Sequence, residues 1–230
     1  MILRRWDDLP AQMQTDEVRP YYEALSKRRA ALVGKRIFDV IFSVLLLILL
    51  SPVFLILAVA IRVDSGGPVI FRQRRITQYG RPFLIYKFRT MVVNAQALGS
   101  AVTTKDDSRI TRVGRVIRRC RLDEIPQLMN ILKGDMSFVG TRPEVEKYVK
   151  EYSPTMLATL LLPAGVTSAA SIAYKDEDRL LAQASDADKT YVEQILPEKM
   201  KYNLESLWDF SFWNDIKTIF QTVIAVLSFS

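Results

Sequence analysis

The sequence predicts an α+β fold: a re-entrant membrane helix joined to a compact, mostly helical domain with a small β-hairpin and amphipathic interface helices. Three observations predict it. Residues 40–61, "VIFSVLLLILLSPVFLILAVAI", carry no charge between Asp39 and Arg62. Two β-rich runs, Val69 to Ile76 and Pro82 to Met91, flank a turn at Gln78-Tyr79-Gly80. Beyond them, cationic and apolar residues interleave at helical spacing. The chain divides into a polar N-terminal extension (1–34), the membrane helix (35–62) and a larger domain (63–230) ending in an apolar helix.

Residues 1–34 are polar and mixed in charge, with a short helix expected after Pro20, and "MILRRWDDLP" lacks the unbroken apolar region of a signal peptide. The uncharged run that follows is apolar on every face, which is wrong for a surface helix. As a straight helix it would cover about 33 Å, roughly one hydrocarbon core. Ser51-Pro52 interrupts it, and proline removes a backbone donor and kinks a helix. Lys35 and Arg36 precede the run, and Arg62 follows it. Basic flanks at both ends favour entry and exit on one side over a kinked span. Lys35 and Asp39 are four apart and can pair on one helix face.

In the hairpin, Arg72, Arg74, Arg75, Lys87 and Arg89 make the polar positions basic. "DDSRITRVGRVIRRCRL" then reads as a cationic helix with Ile110, Val113, Val116 and Ile117 apolar. "DEIPQLMNILKGD" reads as another, started by Pro126 with Asp123 or Glu124 near its N-cap, and stopped at Lys133-Gly134. Thr141 and Glu144 have capping-box spacing. The stretch from Pro163 to about Asp188 reads as a loop. Trp208 and Trp213 fall near the start of a last apolar helix.

Composition limits the chemistry. Of 230 residues, 49% are hydrophobic, enough for a core. The net charge of +7 suits nucleic acid, an anionic membrane surface or a phosphate-bearing small molecule. There is no histidine and one cysteine, Cys120. Ser-His-Asp triads, Cys-His pairs, imidazole zinc sites and intrachain disulfides are therefore excluded. A metal held by carboxylates would be hard, such as magnesium.

Within "RCRLDEIPQL", Asp123 and Glu124 lie among Arg115, Arg118, Arg119 and Arg121. Such a cluster is either a solvated surface or a site where an anion meets a nucleophile. The guanidinium fork binds phosphate bidentately, and a carboxylate beside it is expected to titrate low and stay ionised. Carboxylates can attack phosphorus to give an acyl phosphate.

The ordered pieces "KRIFDV", the apolar segment broken by "SP", "VIFRQ", "IYKFRTM", "RITRVGRVIR" and "LDEIPQLMNILKGDMSFVGTRPE" resemble the monotopic phosphoglycosyl transferases, or bacterial sugar transferases. The likeness runs from about Lys35 to Lys150, with a weaker match near "SFWNDIKTIF". It implies a cytoplasm-facing catalytic domain on the bacterial inner membrane, held by a re-entrant helix broken at Ser51 and Pro52. It implies transfer of a sugar phosphate from a UDP-sugar to polyprenyl phosphate, with UMP released. By the same likeness Asp123 is the nucleophile and Glu124 its partner, assisting the metal or accepting a proton. Arg118 and Arg142 bind phosphate, with Lys87 and Arg89 as further candidates that could instead meet lipid headgroups. Magnesium, or manganese, would sit on Asp123 and Glu124. The expected partners are the UDP-sugar, polyprenyl phosphate and membrane lipid, with a homo-oligomer allowed and no nucleic acid.

One stretch departs from the family pattern. "LLPAGVTSAAS" places Ala164 between Pro163 and Gly165 and Ser168 where a glycine is usual, so the sugar is not assigned. A membrane-anchored scaffold without catalysis and a basic nucleic-acid binder are the rival classes; the long apolar run counts against the second.

Overall fold

A computed structural model describes residues 3–95, 107–174, 177–182, 184 and 186–227. Helix α1 (Arg19–Ser26) carries Pro20 in its first turn, where a missing N–H costs nothing. Helix α2 (Arg29–Leu49) begins earlier than the apolar run, so residues 34 and 35 lie within one continuous helix. Leu50 leaves helical geometry at φ −90 and ψ 2, and α3 (Ser51–Asp64) follows at 61° to α2. Pro52 has no N–H to give the Ile48 carbonyl one turn back; the Ser51 hydroxyl donates to that carbonyl instead, at 2.8 Å. No single helix among the described residues is long and apolar enough to cross a membrane.

The α2–α3 pair is inside out. Lys35, Asp39 and Ser43, spaced by four along α2, are buried. Ile37, Ile41, Leu45 and Ile48 face outward, as do Leu55, Ile56 and Val59 on α3. Lys35 does not bond Asp39. Its ammonium donates to Asp215 Oδ2 (2.5 Å) and to the Val139 carbonyl (2.9 Å), while Asp39 accepts from Ser137 Oγ (3.1 Å) and the Phe138 N–H (3.2 Å). The Arg36 guanidinium donates to the carbonyls of Ile131 and Leu132. An exposed apolar face of this extent marks a surface made for something other than water.

Strands β1 (Ile70–Ile76) and β2 (Pro82–Phe88) pair antiparallel from Ile70 opposite Phe88 to Ile76 opposite Pro82. Their connection is a 3-10 turn over Gln78–Gly80 with Tyr79 at φ +59. Helix α4 (Arg112–Arg119) is capped by the Thr111 hydroxyl on the Gly114 N–H. Of its expected apolar positions, Ile117 is buried, Val113 is half-buried and Val116 is 63% exposed, while Ile110 precedes the helix and bridges to Met91. A 3-10 turn over Leu122–Glu124 leads to α5 (Gln127–Lys133), which stops at Gly134 with φ +85.

Strand β3 (Met136–Val139) pairs in parallel with β4 (Ala164–Thr167). The two backbones approach so closely that a Cβ on Gly165 would lie 2.2 Å from the Gly140 nitrogen. The capping box at Thr141 and Glu144 is not formed. Residues 141–145 are extended, and α6 (Glu146–Val149) starts only beyond them, because the Glu144 carboxylate accepts from the Tyr191 hydroxyl instead. Nor is 163–188 a plain loop: it holds β4, α7 (Ala169–Ala173), α8 (Glu177–Ala182) and the start of α9 (Ala187–Thr190). Lys175, Asp176, Gln183 and Ser185 of that stretch lie outside the described residues. A π-turn over Tyr191–Ile195 runs into α10 (Leu196–Trp208), so Trp208 closes α10, and only Trp213 opens α11 (Phe212–Leu227).

Several apolar cores hold these pieces. One joins Leu3, Leu9, Met13, Val18 and Leu25 of the N-terminal stretch to Leu160, Leu161, Leu207 and Phe210. The N-terminal extension is therefore built into the domain. A second packs Phe83 and Ile85 of β2 on Leu128 and Ile131 of α5, with Leu46, Leu47 and Leu50 of α2 against them. A third sets Ile61 of α3, Phe88 of β2 and Ile117 of α4 beneath Leu122 and Ile125. It fixes the turn between those two residues.

Candidate active site

That turn carries Asp123 and Glu124. After α4 ends at Cys120, Arg121 takes left-handed backbone geometry, φ +56 and ψ 19, and swings the chain back over the third core. A non-glycine residue in that region holds local strain, a feature that clusters at functional sites. Asp123 and Glu124 lie three and two residues ahead of the N-cap of α5, which is Pro126. The carboxylates therefore occupy a separate turn ahead of the helix, and neither makes a side-chain cap on α5.

Two cations from elsewhere in the chain meet the pair. Inward positions alternate along β2, so Phe83 and Ile85 enter the core and Lys87 follows on the same face, at its edge. The Lys87 ammonium donates to Glu124 Oε1 at 3.0 Å and lies 3.7 Å from Asp123 Oδ2. The Arg142 guanidinium donates to the same Glu124 oxygen at 2.6 Å and to the Val166 carbonyl at 3.3 Å. The carboxylate side chains are only 13% and 12% exposed.

Their electrostatics diverge. Burial pushes Glu124 up, but Arg142 and Lys87 outweigh it and hold this carboxyl well below the usual range. Glu124 in turn raises the guanidinium of Arg142 against the effect of burial. Asp123 is raised, chiefly by burial; Lys87 opposes the shift and the neighbouring Glu124 charge adds to it. The low-titrating aspartate expected from its arginine neighbours is thus corrected, because burial outweighs the cations around it, the closest of which are directed at Glu124.

Of the residues singled out in the sequence, Asp123, Glu124, Lys87 and Arg142 come together. Arg118, half-buried near the end of α4, adds its field to Asp123 without a bond to it. Arg89 does not join them. It is buried, and its guanidinium donates to the carbonyls of Ser65 (2.5 Å) and Gly66 (2.9 Å) and to Ser65 Oγ (2.9 Å), closing the C-terminal end of α3. Its role here is structural, as a cation at a helix C-terminus.

Sequence reasoning missed what stands behind Arg142. Arg75 on β1 donates to the Pro143 carbonyl (3.1 Å) and lies 3.9 Å from Glu144 Oε2. Glu144 accepts from Tyr191, whose hydroxyl also receives Lys199 (3.3 Å), and Lys199 is paired with Glu177 at 2.8 Å. This buried chain clamps the 141–145 segment. No local signal marks it, since Tyr191 and Lys199 come from a distant part of the sequence. Gln127 was missed too: it is 1% exposed, and neither amide atom has a partner.

The residues fit a hard cation sparingly ligated by protein. Among the described residues no group of three or more acidic, cysteine or histidine side chains converges. Magnesium needs no such cage, since it keeps waters and binds through one or two carboxylates plus substrate phosphates. Asp123, 3.7 Å from Lys87, would be its protein ligand, while Glu124, the second ligand expected from the sequence, is engaged by Arg142 and Lys87.

A family model described as bacterial sugar transferase matches residues 30–229. The chain is 36% identical over 197 residues to a UDP-N-acetylgalactosamine-undecaprenyl-phosphate N-acetylgalactosaminephosphotransferase of Aeromonas hydrophila, covering 84% of this chain and 44% of that protein. It is 36% identical over 196 residues to a UDP-glucose:undecaprenyl-phosphate glucose-1-phosphate transferase of Klebsiella pneumoniae, covering 84% and 40%. A protein of that same description from Caulobacter vibrioides is 34% identical, with 87% of this chain and 72% of that protein aligned. The chain thus spans about two fifths of the length of the first two relatives.

Proposed function

The chain belongs to the bacterial sugar transferase family, and from that premise we propose that it is a phosphoglycosyl transferase. It moves a sugar phosphate from a UDP-sugar to polyprenyl phosphate at the cytoplasmic face of the bacterial inner membrane. The observation that carries this reading is the asymmetric carboxylate pair: Glu124 is locked between Arg142 and Lys87, while Asp123 beside it is left for chemistry.

The reaction runs in two displacements. An Asp123 carboxylate oxygen attacks the phosphorus that bears the sugar. The new O–P bond forms as the bond to the bridging oxygen breaks, and UMP leaves with that electron pair. An oxygen of polyprenyl phosphate then attacks the same phosphorus, the aspartyl O–P bond breaks, and the polyprenyl-diphosphate sugar departs with Asp123 restored. Arg118 and Arg142 orient the phosphate oxygens through their planar forks. Glu124 is held too acidic to be an effective base, and its part is to fix Arg142 and Lys87 over the reacting phosphorus. Asp123 would hold magnesium or manganese, which would supply positive charge to offset the repulsion between carboxylate and phosphate.

The inverted α2–α3 pair supports the membrane assignment. A buried Lys35-Asp39-Ser43 stripe with an apolar exterior suits a helix whose outer solvent is hydrocarbon. The bend at Ser51-Pro52 supports re-entry, because Arg36 bonds the far end of α5, Arg62 bonds the Gly67 carbonyl, and Arg89 bonds the end of α3. Both ends of the pair are thereby tied to one domain. The test is release of UMP from UDP-sugars by the detergent-solubilised chain, with transfer to polyprenyl phosphate. A protein that binds lipid but releases no UMP from any UDP-sugar would be a scaffold.

A further inference from the structure

Arg142 stands on residues 141–145, an extended segment outside any helix or strand. Three bonds anchor its backbone. The Thr141 carbonyl accepts the Gly165 N–H (2.9 Å), the Glu144 carbonyl accepts the Ile76 N–H (2.9 Å), and the Pro143 carbonyl accepts from Arg75 (3.1 Å). We propose that Tyr191 and Lys199, from the C-terminal helical layer, are positioning residues for the Arg142 phosphate clamp and act on it through Glu144. The proposal rests on the phosphoglycosyl transferase reading above and adds to it the residues that hold the clamp in place.

Arg142 needs a backing because of what it faces. Its half-buried guanidinium donates to Glu124 (2.6 Å) and to the Val166 carbonyl (3.3 Å). A diphosphate arriving at Asp123 brings oxygens that compete with Glu124 for the same fork. An anion behind Arg142, out of the substrate's reach, keeps the guanidinium in place during that exchange. Glu144 supplies it. Residues two apart in an extended chain project to the same side, and the Glu144 charge is among those that raise the Arg142 guanidinium.

The Glu144 carboxylate is itself fixed from both sides. Arg75 lies 3.9 Å from Oε2, and the buried Tyr191 hydroxyl donates to Oε1. Lys199 Nζ lies 3.3 Å from the same tyrosine oxygen. An ammonium can only donate, so the tyrosine oxygen accepts from Lys199 and its one proton is left for Glu144. Lys199 is buried too, and Glu177 meets its charge at 2.8 Å. Such buried charges are no gain in stability over apolar packing. The Tyr191 ring already shares an apolar core with Tyr148, Ile195 and Leu196, so its hydroxyl adds direction rather than burial.

The test is a double-mutant cycle on the full chain in detergent. It reads the acceptor-free burst of UMP, with magnesium and a UDP-sugar that the wild type cleaves. Tyr191→Phe keeps the ring and removes the hydroxyl. It should slow the burst at least about tenfold, with the half-saturating UDP-sugar concentration within about threefold of wild type, because a misplaced clamp loses transition-state stabilisation before it loses binding. Arg142→Lys keeps a charge and loses the fork. In that background Tyr191→Phe should slow the burst less than about twofold further, since a residue acting through Arg142 has nothing left to position. Tyr148→Phe, a control in the same core whose hydroxyl serves Asp188, should burst as wild type. Losses that multiply in the double variant, or a wild-type burst from Tyr191→Phe, would overturn the proposal. Should Tyr191→Phe fail to fold, Glu144→Gln combined with Arg142→Lys completes the same cycle and gives the same decision. A wild type without any burst would overturn the parent reading and this proposal with it, whereas a normal wild-type burst with multiplying losses overturns the proposal alone.

Discussion

Arg142 Nη2 lies 2.6 Å from Glu124 Oε1, so the shortest cation contact made to the two adjacent carboxylates goes to the glutamate. Lys87 reinforces the choice, at 3.0 Å from the same oxygen against 3.7 Å from Asp123. Burial raises Asp123, while Arg142 and Lys87 overcome burial at Glu124 and hold it low.

The pH dependence follows from those directions. In the proposed mechanism only ionised Asp123 attacks phosphorus, so the UMP burst should fall as pH drops through a folded-state pKa lying above the ordinary aspartate value. Glu124 stays ionised across that limb. Glu124→Gln removes the adjacent negative charge and releases Lys87, so the limb should move to lower pH. Lys87→Met removes the largest influence holding Asp123 down, so the limb should move up. Burst rate against pH for the three proteins checks this, and shifts of the same sign in both variants would refute the assignment.

Arg89 should matter for stability and not for substrate. It is buried and bonds carbonyls at the end of α3. Removing a charged donor from buried acceptors costs about 2 kcal/mol. Arg89→Met should lower the melting temperature in detergent, with the KM for UDP-sugar within about twofold of wild type. A large rise in that KM without a change in melting would return Arg89 to the substrate site.

Much of this was legible in the sequence because the signals were local. Pro52 announces a break and Gln78-Tyr79-Gly80 a turn; the Asp123-Glu124 pair is proposed as a site from equally local signals. What escaped depends on partners distant in the chain. The Thr141–Glu144 spacing suits a capping box, but Tyr191 and Arg75 take the Glu144 carboxylate. Arg89 looks like its neighbour Lys87 until the fold turns one toward α3 and the other toward Glu124. The residues at 164–167 become a strand only because Met136–Val139 offers a parallel edge. The mixed polarity of residues 1–34 hides Leu3, Leu9, Met13 and Val18, which enter a core completed by Leu161 and Phe210.

Topology can be read directly. In a Cys120→Ser background, which removes the exposed native thiol, single cysteines at positions 30 and 66 should both label from the cytoplasmic side. The ties of both ends to one domain through Arg36 and Arg89 are the reason for expecting the two positions on one side. Pro52→Ala restores the N–H that Ile48 lacks and should shift a fraction of molecules toward opposite-side labelling. Labelling of the wild-type pair from opposite sides would mean a span.

Metal dependence should be that of a hard cation. Excess EDTA should abolish the UMP burst, magnesium or manganese should restore it, and zinc should not, given a site without histidine and with its single cysteine exposed. A full burst in EDTA would rule the metal out.

Asp123 itself gives the sharpest test, because mechanism and stability pull in opposite directions there. Its folded-state pKa is raised, so protonation favours the fold: that contribution is fully present below the unfolded pKa and is lost as pH rises through the folded one. At neutral pH the ionised side chain therefore burdens the structure, and Asp123→Asn should melt at or above the wild-type temperature. The sign for Glu124 is reversed. Its depressed pKa stabilises the fold above the unfolded value, with the benefit lost as pH falls, so Glu124→Gln should melt lower at neutral pH. Chemistry should divide the other way. With UDP-sugar and magnesium but no acceptor, intact-mass and peptide spectra of the wild type should show a sugar-phosphate adduct on the peptide containing Asp123. Asp123→Asn, stable but lacking the nucleophilic charge, should show none, while Glu124→Gln should retain a weakened adduct. Normal turnover by Asp123→Asn, or an adduct on another residue, would dismiss the two-step route while leaving the overall transfer intact.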